Sequence, residues 1–144
     1  MRKLIPVLFL GLFLAGCGSN GHDFKSLAPH PGDSVIYVFR PDYGYGNSGS
    51  LKIMVDDEKI GSLKNNTYLY KRISPGQHVV SSKTETTSKV PFEAQAGQSY
   101  YIRADRVFGF WVARPRLMMM SQDDGAAAIL SSAYYDKEDP EFIP

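Results

Sequence analysis

The sequence predicts a small antiparallel β-sandwich with one short C-terminal helix. Three observations carry this expectation. Short runs of aliphatic, β-branched and aromatic residues recur through the middle of the 144-residue chain. Turn-forming clusters of Gly, Pro, Asn and Asp separate these runs at intervals of about eight to twelve residues, the spacing of a sandwich or barrel. Tyr (9) and Phe (8) are abundant, which suits a pleated sheet better than a helical bundle.

Residues 33–40, DSVIYVFR, form a continuous apolar run expected to be a buried strand, ended by Pro41. The loop DYGYGNSGS (42–50) is too rich in Gly for regular structure. In LKIMV (51–55), Leu51, Ile53 and Val55 share one face. Asp56-Asp57-Glu58 then turns the chain into a short strand around Ile60 and Leu63, where Gly61 suggests a bulge or a close backbone approach. Asn65-Asn66 is the next turn, and residues 67–73 (TYLYKRI) the next strand. Ser74-Pro75-Gly76-Gln77 carries the signature of a type II turn, with Pro setting φ and Gly accepting a positive φ. Strands follow at 78–83 and 90–94. In the second, Pro91 lacks an N–H and points to a sheet edge. Ala96-Gly97-Gln98 turns into the strand SYYIR (99–103).

Residues 108–111 (FGFW) read as an apolar loop or short strand, and residues 112–120 as the last strand. Arg114 and Arg116 fall on its solvent side, with Pro115 at an edge or bulge. Three adjacent Met at 118–120 do not form a metal box, because successive strand side chains point to opposite faces. A helix begins after Ser121, which with Asp124 resembles a capping box. Ala126, Ile129, Leu130 and Ala133 are expected to share its apolar face. The tail DKEDPEFIP (136–144) is acidic and broken by Pro.

The amino-terminal segment has a different character. Arg2 and Lys3 precede an apolar run at residues 4–14, shorter than the roughly 20 residues a membrane span needs. Its length is that of a signal-peptide core. Leu14-Ala15-Gly16-Cys17 follows and resembles the bacterial lipobox. That resemblance implies diacylglycerol on the Cys17 sulfur, cleavage between Gly16 and Cys17, and N-acylation of the new terminus. Two or more acyl chains anchor a protein stably, where one holds it only marginally. Gly at position 18, in place of the Asp associated with inner-membrane retention, implies delivery to an outer membrane if the source has two membranes. The expected organisation is a cleaved signal peptide (1–16), a lipidated terminus and flexible tether (17–32), a sandwich domain (33–135) and a tail (136–144). Loss of Arg2 and Lys3 leaves 14 basic and 15 acidic residues. That near-neutral balance argues against nucleic-acid binding.

The opening VIYVFRP, the segment VDDEKIGSL, the turn ISPGQH, the stretch AQAGQSYYIR and VARPRL together resemble a bacterial lipoprotein family known as domain of unknown function 2846. The resemblance runs from about Ser34 to about Leu130. VDDEKIG and SPGQH also look like the PEGA class of small sandwiches, of immunoglobulin-like or prealbumin-like form. The family implies a β-sandwich and a lipid anchor, and it implies no catalytic residue.

The residues themselves point the same way. His78 is the only histidine of the expected domain, and Ser81 and Ser82 are too far along a strand to complete a catalytic set with it. The carboxylates at 56–58 and 123–124 are neighbours in turns rather than an opposed pair. No calcium loop, phosphate-binding loop or dinucleotide motif is present. The chain is therefore expected to be non-enzymatic, to hold no metal, and to need no cofactor beyond the acyl groups on Cys17. Tyr43 and Tyr45, on the Gly-rich loop, and Trp111 are the weak binding candidates. The leading reading is a lipid-anchored envelope protein, facing the periplasm, that serves a structural role or binds an envelope protein. A glycan or peptidoglycan binder is the alternative, and a lipid-anchored hydrolase a more remote one. A membrane-dipping role for Phe108, Phe110 and Trp111 is also open.

Overall fold

A computed structural model describes residues 24, 26–44 and 49–134. The elements run β1 (Ser34–Arg40), β2 (Leu51–Val55), β3 (Glu58–Leu63), β4 (Thr67–Ile73), β5 (Gly76–Lys83), β6 (Thr87–Ala94), β7 (Ser99–Val107), β8 (Arg114–Met119), α1 (Gln122–Ile129) and β9 (Ala133–Tyr134). They build two sheets, in the orders β8-β7-β1-β4-β9 and β3-β2-β5-β6. These are the two layers of the expected sandwich, with the single helix near the C-terminus.

All seven residues of β1 are buried, so the strand has two apolar faces. Ile36 and Val38 enter the space between the sheets, with Ile53, Val55, Leu69, Val80, Ile102 and Leu117. Val35, Tyr37 and Phe39 face the other way, against Tyr68, Tyr101 and Ile129. Each fully buried aliphatic or aromatic side chain contributes about 1.5–3 kcal/mol. The second face therefore needs its own cover, and α1 and the segment before β1 supply it. Phe24 packs edge-on against Tyr37 and Tyr68, with ring centroids 5.4 and 5.2 Å away. The Tyr37 hydroxyl accepts from the Leu27 N–H at 2.7 Å and reaches the Leu27 carbonyl at 3.3 Å. Phe24 and Leu27, read from composition as part of a tether, thus lie on the sheet.

β1 pairs antiparallel with β4 but parallel with β7, and β4 pairs parallel with β9. The remaining ladders are antiparallel, as expected. The parallel pair arises because the chain crosses to the second sheet through β5 and β6 and returns beside the start of β1. Val35 N–H donates to the Gln98 carbonyl (3.1 Å), Gly97 N–H to the Asp33 carbonyl (2.7 Å) and Ser34 Oγ to the Gln95 carbonyl (2.6 Å). These bonds hold the two strand starts side by side.

The turn chemistry follows from the sequence. Asp56 (φ 50°) and Asp57 (φ 65°) link the paired residues Val55 and Glu58, so β2 and β3 join through a two-residue loop with both φ positive. The expected irregularity around Gly61 is a register shift opposite Ile53 and Met54. A Cβ at Gly61 would lie 2.8 Å from the Leu69 side chain. Pro75-Gly76 does not close a hairpin. It carries the chain from β4 in one sheet to β5 in the other, with Gly76 at φ 126°. Pro91 and Pro115 both sit on edge strands, β6 and β8, where the missing N–H breaks no ladder.

Helix α1 starts as its capping signal predicts, with the Ser121 side chain accepting from the Asp124 N–H at 3.2 Å. Its apolar face differs from the expected one. Gly125 and Ile129 are the buried pair, Leu130 is 66% exposed at the C-cap, and Ala133 belongs to β9. The helix ends after two turns and seats Gly125 directly on Tyr101. A Cβ built on Gly125 would meet the Tyr101 Cβ at 2.3 Å.

Gly125→Ala tests this seating. On helix propensity alone the change stabilises by about 1 kcal/mol. Here overpacking against Tyr101 is expected to destabilise the protein by about 1–3 kcal/mol. Urea denaturation followed by circular dichroism measures the sign, and a net gain would rule out the close contact.

Candidate functional site

One end of the sandwich gathers three connections. The ends of the parallel strands β1 and β7 point there, and so does the start of β2, because the Arg40 guanidinium donates to the Gly49 carbonyl at 2.8 Å. The β5–β6 turn joins them. Thr84 Oγ1 donates to the Ala113 carbonyl at 3.1 Å, and Val112 N–H donates to the Glu85 carboxylate at 3.1 Å.

Asp105 is the electrostatic centre of this end. It is 2% exposed, although it lies on the outer face of its sheet. Alternation along β7 places Arg103 and Asp105 on the face of Tyr101. The β7–β8 register sets Arg116 opposite Asp105. Arg103 Nε donates to Asp105 Oδ1 and Arg116 Nη2 to Asp105 Oδ2, each at 3.0 Å. The Tyr43 hydroxyl donates to Asp105 Oδ1 and accepts from Arg103 Nη2 at 2.6 Å. Local structure brings Tyr43 into place. Asp42 Oδ1 accepts from Gly44 N–H (2.9 Å) and Asn65 Nδ2 (2.7 Å), and Asn65 Oδ1 accepts from Tyr43 N–H (3.3 Å). Burial pushes the Asp105 carboxyl up, but the bonds from Tyr43, Arg103 and Arg116 outweigh it and hold it below the usual carboxylate range. Burial, reinforced by the bond to Asp105, raises the Tyr43 hydroxyl. An ionised carboxylate saturated by three donors positions its partners and is a poor proton acceptor.

On the opposite face of the same sheet, Arg40 is completely buried at the end of β1. Burial lowers its pKa, and the nearby Arg106 lowers it further. Its bond to Gly49 O ties the end of the loop to the sandwich interior.

Residues 108–113 project beyond this end. Phe108, Phe110 and Trp111 are 103%, 80% and 84% exposed. Phe110 and Trp111 meet edge to face, 4.9 Å apart. Gly109 is required here, since a Cβ would sit 1.8 Å from the Val112 carbonyl oxygen. The strand expected over 112–120 is shorter, Arg114–Met119, because Val112 and Ala113 are pinned to the β5–β6 turn instead of a neighbouring strand. Arg114 and Arg116 are exposed as expected, and Pro115 and Leu117 are buried.

His78 lies at the opposite end of the sandwich and bridges two turns. Nδ1 lies 2.6 Å from Asp56 Oδ2, and Nε2 lies 2.7 Å from the Ser74 carbonyl. Both partners are acceptors, and only the imidazolium can donate to both. Asp56 also accepts from the Val79 N–H at 2.9 Å. Burial lowers the His78 pKa, but Asp56 and Ser74 outweigh it, so the net shift is upward. Burial likewise raises Asp56, and His78 and Val79 reverse this to a net lowering.

Gly16, Cys17 and Tyr45 lie outside the described residues. The structure does not bring Tyr43 and Trp111 together through a common contact. Tyr43 is tied down through its hydroxyl, and Trp111 is exposed on the 108–113 loop with Phe110 against its ring. Sequence reasoning missed Arg40, Arg103 and Asp105. Alternation from Tyr101 shows that Arg103 and Asp105 share a face, but their pairing with Arg116 and Tyr43 needs the register of β8 and the path of the loop. Among the described residues no cluster of three or more His, Cys, Asp or Glu is arranged to hold a metal ion.

Asp105→Asn keeps the shape and removes the charge. It is expected to cost about 1–3 kcal/mol in urea unfolding, and more than Arg116→Ala, since that guanidinium is 56% exposed. For the His78–Asp56 pair, the raised histidine stabilises the fold fully below its unfolded pKa near 6.5, and this contribution is lost as pH rises through the folded value. The lowered aspartate contributes above its unfolded value near 3.8, and this is lost as pH falls through the folded one. The pair therefore contributes most between about pH 4 and 6.5. NMR titration of His78 is expected to give a midpoint above 6.5 that moves down in Asp56→Asn; an unchanged midpoint would remove the pairing.

Comparison with known proteins gives a family. The model described as protein of unknown function DUF2846 matches residues 30–114, more than half of the 144-residue chain. An uncharacterized protein of Haemophilus influenzae is 29% identical over 103 residues, covering 71% of this chain and 61% of that protein. The chain thus spans about three fifths of the length of the curated relative it matches. No solved structure matches significantly. With the sandwich and its turn residues lying within the matched segment, the chain belongs to the DUF2846 family.

Proposed function

We propose that the protein is a lipid-anchored component of the bacterial cell envelope whose β-sandwich serves a structural or protein-binding role without catalysis. The carrying observation is the run from Arg2-Lys3 through the apolar residues 4–14 to Leu14-Ala15-Gly16-Cys17. In this reading Cys17 becomes the first mature residue, and its acyl chains hold the domain to the outer membrane, facing the periplasm.

The geometry of the domain supports a non-catalytic role. A histidine base needs one nitrogen open to a nucleophile. His78 instead directs Nδ1 at Asp56 and Nε2 at the Ser74 carbonyl. Asp105, the buried carboxylate, is engaged by Tyr43, Arg103 and Arg116. Both groups are held in the charge state that supports structure. What remains for function is a surface, and the loop end offers the largest exposed aromatic group among the described residues.

Metabolic labelling with radioactive palmitate, followed by detergent phase partitioning, tests the anchor. The wild-type chain is expected to take up label and enter the detergent phase. Cys17→Ala is expected to lose both properties. Unlabelled wild type, or an alanine variant that still takes up label and enters the detergent phase, would end the anchoring reading.

A further inference from the structure

The loop at residues 108–113 has no structural reason to expose its aromatics. Phe108, Phe110 and Trp111 are among the largest apolar side chains in the protein, and each is at least 80% exposed. The backbone beneath them is fixed by Gly109 packed on the Val112 carbonyl and by the bonds to Thr84 and Glu85. The aromatics are therefore presented on a tip whose base is held to the β5–β6 turn. We propose that this end of the sandwich docks on an anionic bilayer surface, with Phe108, Phe110 and Trp111 at the boundary between headgroups and acyl chains.

Charge complementarity selects this occupant. The β5–β6 turn that pins the loop is flanked by Lys83 on one strand and Lys89 on the other. Lys52 of β2 joins them around a shallow depression of about 360 Å³ that also includes Met54, Ser81 and Thr87, with Asp57 the one carboxylate on its lining. The three lysines are exposed on the outer face of β2, β5 and β6. Glu85, the acidic residue nearest the tip, is bonded to Val112 N–H and lies 3.9 Å from Arg114. Aromatic rings at the interface with lysines reaching lipid phosphates are the usual composition of a membrane-contacting surface.

The path of the chain agrees, in an argument that rests on the lipid-anchor reading. Phe24 packs on Tyr68, whose register partner is Phe39, next to the last residue of β1. The segment before β1 therefore reaches the sheet on the half nearer the aromatic loop. Cys17 is seven residues away from Phe24, a reach of at most about 25 Å in extended chain. An acylated Cys17 places the bilayer within range of that end.

Trp111 is the only Trp of the chain, so its fluorescence reports on the loop directly. The full lipidated protein is reconstituted into vesicles of phosphatidylcholine, alone or with phosphatidylglycerol, carrying brominated acyl chains. The expected result is a blue-shifted Trp111 emission, with bromolipid quenching about twofold stronger in the vesicles containing phosphatidylglycerol. Joint replacement of Lys52, Lys83 and Lys89 by Glu is expected to abolish this excess while leaving the circular dichroism spectrum unchanged. Protein that floats with vesicles while Trp111 stays open to aqueous acrylamide would overturn the docking and leave the anchor standing. A Cys17→Ser chain, which has no acylation site, is expected to float only with anionic vesicles and to show Trp111 quenching; its failure to bind them would overturn the docking and leave the anchor standing. A blue shift that grows with protein concentration in the absence of vesicles would assign the loop to a second copy and overturn the proposal. Chain that does not float with any vesicle would overturn both readings.

Discussion

A strand whose seven residues are all buried must be covered on both faces, and β1 imposes that requirement on the rest of the molecule. One face takes the second sheet, through Ile36 and Val38. The other takes α1 and the segment before β1, through Val35, Tyr37 and Phe39. The helix and the amino-terminal segment are therefore structural necessities of an ordinary sandwich that carries one doubly apolar strand. The cost of leaving Tyr37, Tyr68 and Tyr101 in water explains why two short, individually weak elements hold their places.

The same strand explains the polar end of the sandwich. β1 finishes with Arg40, a charge carried to the edge of an apolar layer, which meets the backbone at Gly49. On the opposite face of the same sheet, Asp105 is buried near this end. A buried carboxylate is tolerated only with partners, and Arg103, Arg116 and Tyr43 supply them. This network binds β7, β8 and the loop after β1 into one rigid end, from which the aromatic residues 108–111 project. A surface built this firmly suits recognition by presentation better than by induced closure.

Much of the sandwich was readable residue by residue. Alternation in Leu51-Lys52-Ile53-Met54-Val55, the edge positions of Pro91 and Pro115, and the cap at Ser121 each rest on local geometry, and each appears where local rules place it. The misreadings share one cause. Leu130 and Ala133 continue a helical periodicity that ends when Ala133 finds β4 as a partner. Phe24 and Leu27 sit in a tether-like composition, yet Tyr37 of β1 and Tyr68 of β4, on the face turned away from the second sheet, draw them in. In each case a long-range partner overrode a local preference. Within the candidate site, Tyr43 and Trp111 stood out as aromatics in loops, whereas Asp105 looked like any charged strand residue until its neighbours were known.

By itself the sequence determined the strand content, most turns and the helix start, because these depend on side-chain period or backbone conformational preference. Only the tertiary structure decided the parallel pairing of β1 with β7, the burial of Asp105 among Tyr43, Arg103 and Arg116, and the exposure of Trp111 on a loop held to the β5–β6 turn. Those features are contacts between residues far apart in the chain. Their energies come from burial and charge pairing across elements, which local sequence does not encode.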